Sequence, residues 1–299
     1  MASPAEMFRP DLRPRRTART ARNALATAMI TATVLVVLVP VIAVVGTVVA
    51  KGAHSISWAL LTKSIPSVRR KGPGIGPAVV GTLLMTGMAS LMAIPLGVMG
   101  AVYLHEYAKT GRLAAVLRFL ANVMTGVPSI VMGLFIFTIW VLRFGTSGIS
   151  GFAGSLALAC LMLPIVIRSS EEMLRLVPDQ LREASLALGT SKARTIVSVV
   201  LPAALPGISS GVLLAVARAA GETAPLLFTI LTVTKTNVNL FSGPNTALST
   251  QIFANAQQPF PGAQARAWGA ALTLVAIAFT LTLIARVLVA RFDPLRRAR

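Results

Sequence analysis

The chain has 299 residues, of which 55% are hydrophobic and only 12% are charged. An ordinary soluble domain carries roughly 25% charged residues, so this composition excludes both a water-soluble globule and a disordered chain. The 28 Lys and Arg residues outnumber the 9 Asp and Glu residues and give a formal net charge of +19. In a membrane protein, arginines at the ends of spanning helices meet anionic lipid headgroups and account for such an excess. The composition therefore predicts membrane lipids, and no nucleic acid, as a partner.

Uncharged runs predict six transmembrane helices and hence an all-α, polytopic membrane protein. A helix needs about 20 apolar residues to cross the hydrocarbon core of a bilayer. Five runs meet this requirement without interruption, and a sixth, 206–234, is interrupted by Arg218 and Glu222 near its middle. The uninterrupted runs are 24–50, 78–104, 119–142, 144–167 and 267–285.

The distribution of basic residues predicts that both termini lie in the cytoplasm, because most Lys and Arg residues then fall on the inner side of the plasma membrane. We expect a basic cytoplasmic tail at 1–23, a six-helix transmembrane domain at 24–290 and a second cytoplasmic tail at 291–299. In this orientation the outer loops contain no acidic residue. That absence is either chance in an acid-poor chain or a feature of an outer face that does not repel anions.

The longest cytoplasmic segment, 171–206, is predicted to form two short helices. Residues 171–176 continue the fourth span, and a second helix over 180–188 begins with Asp179 as its N-cap and ends at Gly189. So short a helix is marginal by itself, so its apolar stripe must pack against the protein's own helices or against another protein.

This segment resembles the EAA loop of ABC importer permeases. The pattern of that family is Glu-Ala-Ala, three residues, Gly, nine residues, Ile, one residue, Leu-Pro. The resemblance implies that the loop is a coupling helix that docks on a separate ATPase subunit; the alternative is a purely structural helix pair. The matching positions, with Ser185 and Val199 as conservative departures, are Glu183, Ala184, Ser185, Gly189, Val199, Leu201 and Pro202.

Arg218 and Glu222 are spaced to share one face of the fifth span. Ionisable residues at mid-membrane cost about 2.5–3.5 kcal/mol each on insertion scales and usually face a bundle interior or a wet cavity. A guanidinium presents two N–H groups to an oxyanion, so the pair is a candidate transit site for an anion. Glu222 would either hold Arg218 in place or accept a hydrogen bond from the P–OH of hydrogen phosphate, which sulfate does not offer. The alternative is a structural salt bridge.

Three strings, 126–131, 163–172 and 217–227, are similar to the permease subunits of phosphate ABC transporters, the PstA family. The resemblance covers about 79–285 and implies the fold of a type I ABC importer permease. It also implies that Arg218 and Glu222 take part in phosphate passage. We include Thr223, which follows the pair, and Ser129 as candidate lining residues. Gly126 and Pro128 loosen the helix next to Ser129, which indicates either a structural kink or a polar lining position.

The resemblance further implies the partners of this chain. These are a second homologous permease subunit, an ATPase dimer that binds ATP and Mg, and an extracytoplasmic phosphate-binding protein. The chain itself would form half of the translocation pathway in the inner membrane, catalyse no reaction and hold no cofactor. With two distant histidines and neither an HExxH nor a CxxC motif, we expect no metal site.

Other interpretations remain open at this point. The chain could be the sister permease subunit of the same complex, or a permease for another oxyanion such as molybdate or tungstate. An ion-driven secondary carrier or a membrane scaffold belongs to a different class. The spacing of the EAA-like loop argues against both of these.

Overall fold

The computed structural model describes residues 18–67, 69–108 and 111–292. Residues 1–17 of the predicted N-terminal tail and 293–299 of the C-terminal tail lie outside the described residues. Within the described residues, six helices are long and apolar enough to cross a membrane, which confirms the predicted all-α fold with six spans. The chain is a multi-pass membrane protein. Its spans are Ala21–Ala53, Gly76–Tyr107, Ser129–Gly148, Gly151–Arg175, Lys192–Gly221 and Pro261–Ile284.

Shorter helices join or interrupt these spans. Three five-residue π-helical segments, Tyr103–Tyr107, Phe137–Val141 and Ile196–Val200, continue α-helices, and a 3-10 turn covers Gly145–Gly148. The α-helices in chain order are α1 (Ala18–Ala53), α2 (Trp58–Thr62), α3 (Gly76–Val102), α4 (Arg112–Gly126), α5 (Ser129–Ile136), α6 (Leu142–Phe144), α7 (Gly151–Arg175), α8 (Asp179–Ala187), α9 (Lys192–Thr195), α10 (Leu201–Gly221), α11 (Leu226–Thr229), α12 (Leu248–Ala256) and α13 (Pro261–Phe292).

The chain divides into two compact units, 1–50 and 51–299. In the described part of the first unit, α1 is uncharged from residue 24 to residue 50. A helix that is apolar on every side is typical of a membrane span.

The core of the second unit lies where α3, α7 and α10 pack together. Buried members of this cluster are Met85 and Ala89 on α3, Leu158 on α7 and Ala215 on α10. Small residues allow the close approach: a Cβ built on Gly97 of α3 would lie 2.6 Å from Cγ1 of a valine on α7. Small interface residues of this kind are the usual device for packing helices in membranes.

The third span departs from the prediction of one uninterrupted helix over 119–142. Helix α4 ends at Gly126, Val127 is extended with ψ 128°, and α5 begins at Ser129. Pro128 explains the break, because it lacks an N–H group and disfavours helical geometry at the preceding residue. The uninterrupted helix was therefore a wrong prediction, and the span-length helix begins at Ser129.

The fifth span also differs from its predicted limits of 206–234. The helical segment Lys192–Gly221 starts earlier and ends earlier, so that Leu201 and Pro202 are the first two residues of α10. Glu222 has left the helix with ψ 133°. The prediction of Glu222 within a helix was wrong, since α10 ends one residue before it.

Candidate functional site

The packing of α10 on α7 fixes the depth of Arg218. The two helices run antiparallel, and Gly211 lies against the side chain of Ser169. Arg218 is seven residues beyond Gly211, a rise of about 10 Å along the helix. The same distance back along α7 from Ser169 reaches Met162, next to the midpoint of α7. Arg218 therefore lies at mid-depth in the helix bundle.

Arg218 and Glu222 contact each other, although only Arg218 is helical. Nε of Arg218 lies 3.3 Å from Oε1 of Glu222. The guanidinium is in the last turn of α10, where a positive charge is favoured by the helix dipole. The side chain of Arg218 is 63% exposed on this chain and that of Glu222 is 15% exposed. The carboxylate is thus mostly covered and tethers a guanidinium whose other sides are open.

The backbone that follows Glu222 packs against α5. A Cβ built on Gly133 would lie 2.5 Å from Cα of Pro225, so only glycine permits this approach. Ser129 is one helical turn before Gly133 on the same helix. The carbonyl of Thr223 accepts from the N–H of Leu226 at 3.1 Å and so begins the short α11. The structure therefore brings the helix of Ser129 to the segment that contains Glu222 and Thr223.

The break in the third span lies at the same depth as Arg218. Asn122 of α4 accepts a hydrogen bond from Arg168 of α7, and these two helices are also antiparallel. Gly126, the last residue of α4 and four residues beyond Asn122, is consequently opposite Pro164 in α7, about 3 Å from the level of Met162. Non-helical backbone at membrane depth is tolerated only where it is buried in protein or lines a water-filled cavity. Two interrupted helices at one level thus define a polar region around Arg218.

Sequence reasoning missed a contact to this region from the loop between α11 and α13. Oγ of Ser249, at the start of α12, donates to the backbone carbonyl of Glu222 at 2.8 Å. The N–H of Leu248 donates to Oγ1 of Thr82 on α3, also at 2.8 Å. These bonds attach α12 to both α3 and the end of α10. The short polar run at 249–251 was the one signal that this part of the loop enters the bundle.

The predicted coupling segment forms α8, followed by a turn at Gly189 with φ +79°. This left-handed conformation favours glycine and supports the role expected of Gly189. Asp179 is not the N-cap: that position is Pro178, and Asp179 is the first residue of the helix. Its carboxylate instead accepts a hydrogen bond from Arg182 at 3.0 Å.

Ser185, where the family pattern has alanine, links α8 to α9. Its Oγ lies 2.8 Å from Oγ1 of Thr190 and 2.9 Å from Oγ1 of Thr195. Ser185 is buried, whereas Glu183 and Ala184 are exposed. The helix therefore has an inner side fixed by hydroxyl groups and an outer side open to another protein.

Arg182, which the sequence analysis did not single out, fixes α8 to the bundle. Its guanidinium donates to Oε1 of Glu106 at 2.8 Å, to the carbonyl of Leu174 at 3.0 Å and to that of Val177 at 2.7 Å. The side chains of Arg182 and Glu106 are only 11% and 4% exposed. Nζ of Lys192 adds a bond of 2.6 Å to the carbonyl of Glu106. The only sequence signal for this role of Arg182 was its position directly before the Glu-Ala-Ser run of the EAA-like loop.

The two groups of candidate residues are separate in the structure. Arg218, Glu222 and Thr223 follow one another at mid-depth, and Ser129 lies on the helix that packs against the segment after them. Glu183, Ala184, Ser185 and Gly189 lie at the end of α7, where Arg182 contacts Leu174. The step along α7 from the level of Arg218 to Leu174 is about 18 Å. Any coupling between the two groups must pass through the helices that join them.

Comparison with known proteins defines the class to which this architecture belongs. Residues 93–298 match the family described as "Binding-protein-dependent transport system inner membrane component", and the chain belongs to this family. It is a permease subunit of an ABC transporter, a transport component, as the resemblance of its EAA-like loop predicts.

Within this class, the chain is similar to named phosphate permeases. It is 42% identical over 291 residues to "Phosphate transport system permease protein PstA 1" of Mycobacterium tuberculosis (strain ATCC 25618 / H37Rv), covering 96% of this chain and 93% of that protein. It is 43% identical over 248 residues to "Phosphate transport system permease protein PstA" of Yersinia pestis, covering 83% of each chain. The predicted resemblance to the PstA family is confirmed.

Solved structures share the fold. A chain of the MetNI methionine ABC transporter matches with a TM-score of 0.60 and 20% identity, covering 72% of this chain and 94% of that chain. A bacterial ABC transporter involved in the import of the acidic polysaccharide alginate matches with a TM-score of 0.63 and 14% identity, covering 91% and 96%. At these identities the likeness concerns the architecture alone.

Proposed function

We propose that this chain is the permease subunit of an ATP-driven phosphate importer and forms half of its translocation pathway. The names of its relatives support phosphate as the cargo. The observation that carries the proposal is Arg218: a guanidinium at mid-depth, tethered by one carboxylate and otherwise open.

The chemistry of the pair suits hydrogen phosphate. The open N–H groups of Arg218 donate to two phosphate oxygens, as a planar guanidinium does more specifically than an ammonium. Glu222 accepts the hydrogen bond of the P–OH group, which distinguishes hydrogen phosphate from sulfate at neutral pH. Without cargo, the ion pair at 3.3 Å keeps Arg218 in position.

The open side of Arg218 faces away from this chain, and a second homologous permease covers it in the assembled transporter. Thr223 and Ser129 line the polar region next to the pair. An extracytoplasmic phosphate-binding protein delivers the cargo to the outer end. This arrangement encloses the site between two subunits and shields the guanidinium from lipid, as a charged residue at this depth requires.

The end of the bundle with α8 lies in the cytoplasm, together with both termini. An ATPase dimer, which binds ATP and Mg, docks on the exposed side of α8 at Glu183 and Ala184. Its movement reaches the bundle through Arg182 and Glu106 to α3, and through Gly189 and α9 to α10. The transporter then alternates between outward and inward access, and phosphate is carried unchanged.

Uptake of radioactive phosphate by vesicles that carry the assembled complex tests this proposal. We expect uptake only with ATP and no competition by sulfate. Arg218→Lys should lower uptake by at least about tenfold, since a lysine lacks the two parallel N–H donors of a guanidinium. Glu222→Gln should lower it less and let sulfate compete.

Arg194→Lys is the matched control, because Arg194 is exposed and its side chain makes no hydrogen bond within the described residues. Unchanged uptake by both Arg218→Lys and Glu222→Gln would reduce the pair to a structural salt bridge. Uptake of sulfate in preference to phosphate would contradict the proposed cargo.

A further inference from the structure

A second charged cavity lies between α4 and α7, at the end of the bundle that carries α8. Its volume is about 190 Å³, enough for a tetrahedral oxyanion with accompanying water molecules. It is distinct from the region around Arg218. The polar residues that line it are Arg118, Asn122, Arg168, Glu171, Glu172 and Arg175.

One wall of the cavity is a fixed ion pair. Nε of Arg118 lies 2.8 Å from Oε1 of Glu171, and its Nη2 donates to the carbonyl of Leu104 at 2.7 Å. The pair is partly buried, with the side chain of Glu171 only 14% exposed. Its two charges offset each other, so Glu171 adds little negative charge to the cavity.

The other two arginines have donors to spare. Nη1 of Arg168 donates to Oδ1 of Asn122, which positions the guanidinium and leaves most of its five N–H groups without a partner in the described residues. Arg175 is exposed and makes no side-chain hydrogen bond in that part of the chain. Glu172 is the only carboxylate of the cavity outside the fixed pair. The charges of the cavity outside the fixed pair therefore sum to +1, and the guanidinium groups of Arg168 and Arg175 can both donate hydrogen bonds to a bound anion.

The depth of the cavity in the bundle also indicates which phosphate groups could reach it. Arg168 is six residues beyond Met162 toward the end of α7, which places it about 9 Å from the level of Arg218 in the direction of α8. A guanidinium with open N–H groups matches the geometry of phosphate oxygens. A basic pocket between helices near the cytoplasmic surface also suits the phosphate group of an anionic lipid.

We propose that the cavity around Arg168 and Arg175 is a binding site for a phosphate oxyanion. If the bound group is free phosphate, and here the inference rests on the proposed function, the site receives the cargo after it leaves Arg218. If the bound group is a lipid headgroup, the site fastens α4 to α7 at the membrane surface. The chemistry of recognition is the same in both cases.

Arginine footprinting tests the site without turnover. Phenylglyoxal modifies open guanidinium groups, and mass spectrometry gives the rate at each arginine of the assembled complex, with neither ATP nor binding protein present. In maltoside micelles, which contain no phosphate, added inorganic phosphate should slow modification of Arg168 several-fold relative to chloride at equal ionic strength. In nanodiscs with phosphatidylglycerol and no inorganic phosphate, protection of Arg168 would identify a headgroup instead. Arg194 should be unprotected in both arms.

Arg175→Gln sharpens the test. Loss of one charged hydrogen bond should raise the phosphate or lipid concentration for half-protection of Arg168 by about tenfold, while Arg194→Gln leaves it unchanged. Equal reactivity of Arg168 in all conditions, or full protection in Arg175→Gln, would overturn the site. The proposed function fails separately: a wild-type complex that carries no phosphate would overturn it whatever the footprint shows, whereas uptake without a footprint would overturn only this site.

Discussion

Arg182 and Arg218 contain the same guanidinium group and lie about 18 Å apart in depth along the bundle. Arg182 donates to two carboxylates and two backbone carbonyls and is 11% exposed. In the described part of the chain, the guanidinium of Arg218 has one ion-pair partner, Glu222 at 3.3 Å, and the side chain is 63% exposed. A guanidinium whose N–H groups are bonded within the chain holds structural elements together, whereas one with unbonded N–H groups can donate to a ligand. In the proposed function, Arg182 therefore holds α8 on the bundle, and Arg218 binds the cargo.

This contrast predicts a large difference in stability between variants at the two arginines. Arg182→Met should lower the free energy of unfolding by about 3–5 kcal/mol, because it leaves the carboxylate of Glu106 buried and unpaired. Arg218→Met should lower it by less, because the guanidinium of Arg218 is 63% exposed and makes a longer contact with its carboxylate, yet it should abolish phosphate uptake. Thermal unfolding of the assembled complex, measured beside uptake, checks both.

A double variant separates the buried charge from the loss of packing. Glu106→Gln combined with Arg182→Met should recover part of the stability that Arg182→Met loses, since no charge then remains unpaired. Equal destabilisation by Arg182→Met and Arg218→Met would mean that the two arginines do not differ as a structural residue and a ligand-binding residue.

A smaller effect is expected at the turn after α8. Gly189 has φ +79°, so Gly189→Ala should destabilise the turn by about 1–2 kcal/mol and shift α8 relative to α9. The expected result is a lower ratio of phosphate transported to ATP hydrolysed, measured in proteoliposomes. Gly87→Ala is the control, because Gly87 is in α3 and a Cβ there meets nothing within 4 Å of this chain. A normal ratio in Gly189→Ala would mean that the turn does not transmit motion.

The smallest effect concerns the support of Glu222 from α12. Ser249→Ala removes the bond to the Glu222 carbonyl and should cost about 0.6 kcal/mol, the average for such bonds in membrane proteins. We expect a modest fall in uptake with the preference for phosphate over sulfate weakened. Ser198→Ala, whose hydroxyl bonds only within its own helix, should leave both unchanged. An identical effect of the two substitutions would remove Ser249 from the site.

Sequence patterns predicted the features that depend on local chemistry. Length and apolarity set the six spans, and the spacing from Glu183 to Pro202 identified the loop that contains α8. The contact between Arg218 and Glu222 was also foreseen, because residues four apart are neighbours at a helix end. The break before Pro128 was indicated by the proline but treated as a loosened helix.

Features that depend on distant residues were not predictable in the same way. Arg182 and Glu106 are 76 positions apart, and no periodicity links them. Ser249 reaches Glu222 only because α12 folds back into the bundle. Each of these contacts required the relative placement of whole helices.

Thiol accessibility at position 218 decides whether this position lines an aqueous path. In a Cys160→Ala background, Arg218→Cys in the assembled complex should react with a charged, membrane-impermeant thiol reagent, because the site lines an aqueous path. Val36→Cys, near the middle of the uncharged stretch 24–50 of α1, should react only with a membrane-permeant reagent. If the thiol at position 218 reacted only with the permeant reagent, as the thiol at position 36 should, position 218 would face lipid, and the account of Arg218 as the cargo site would be wrong.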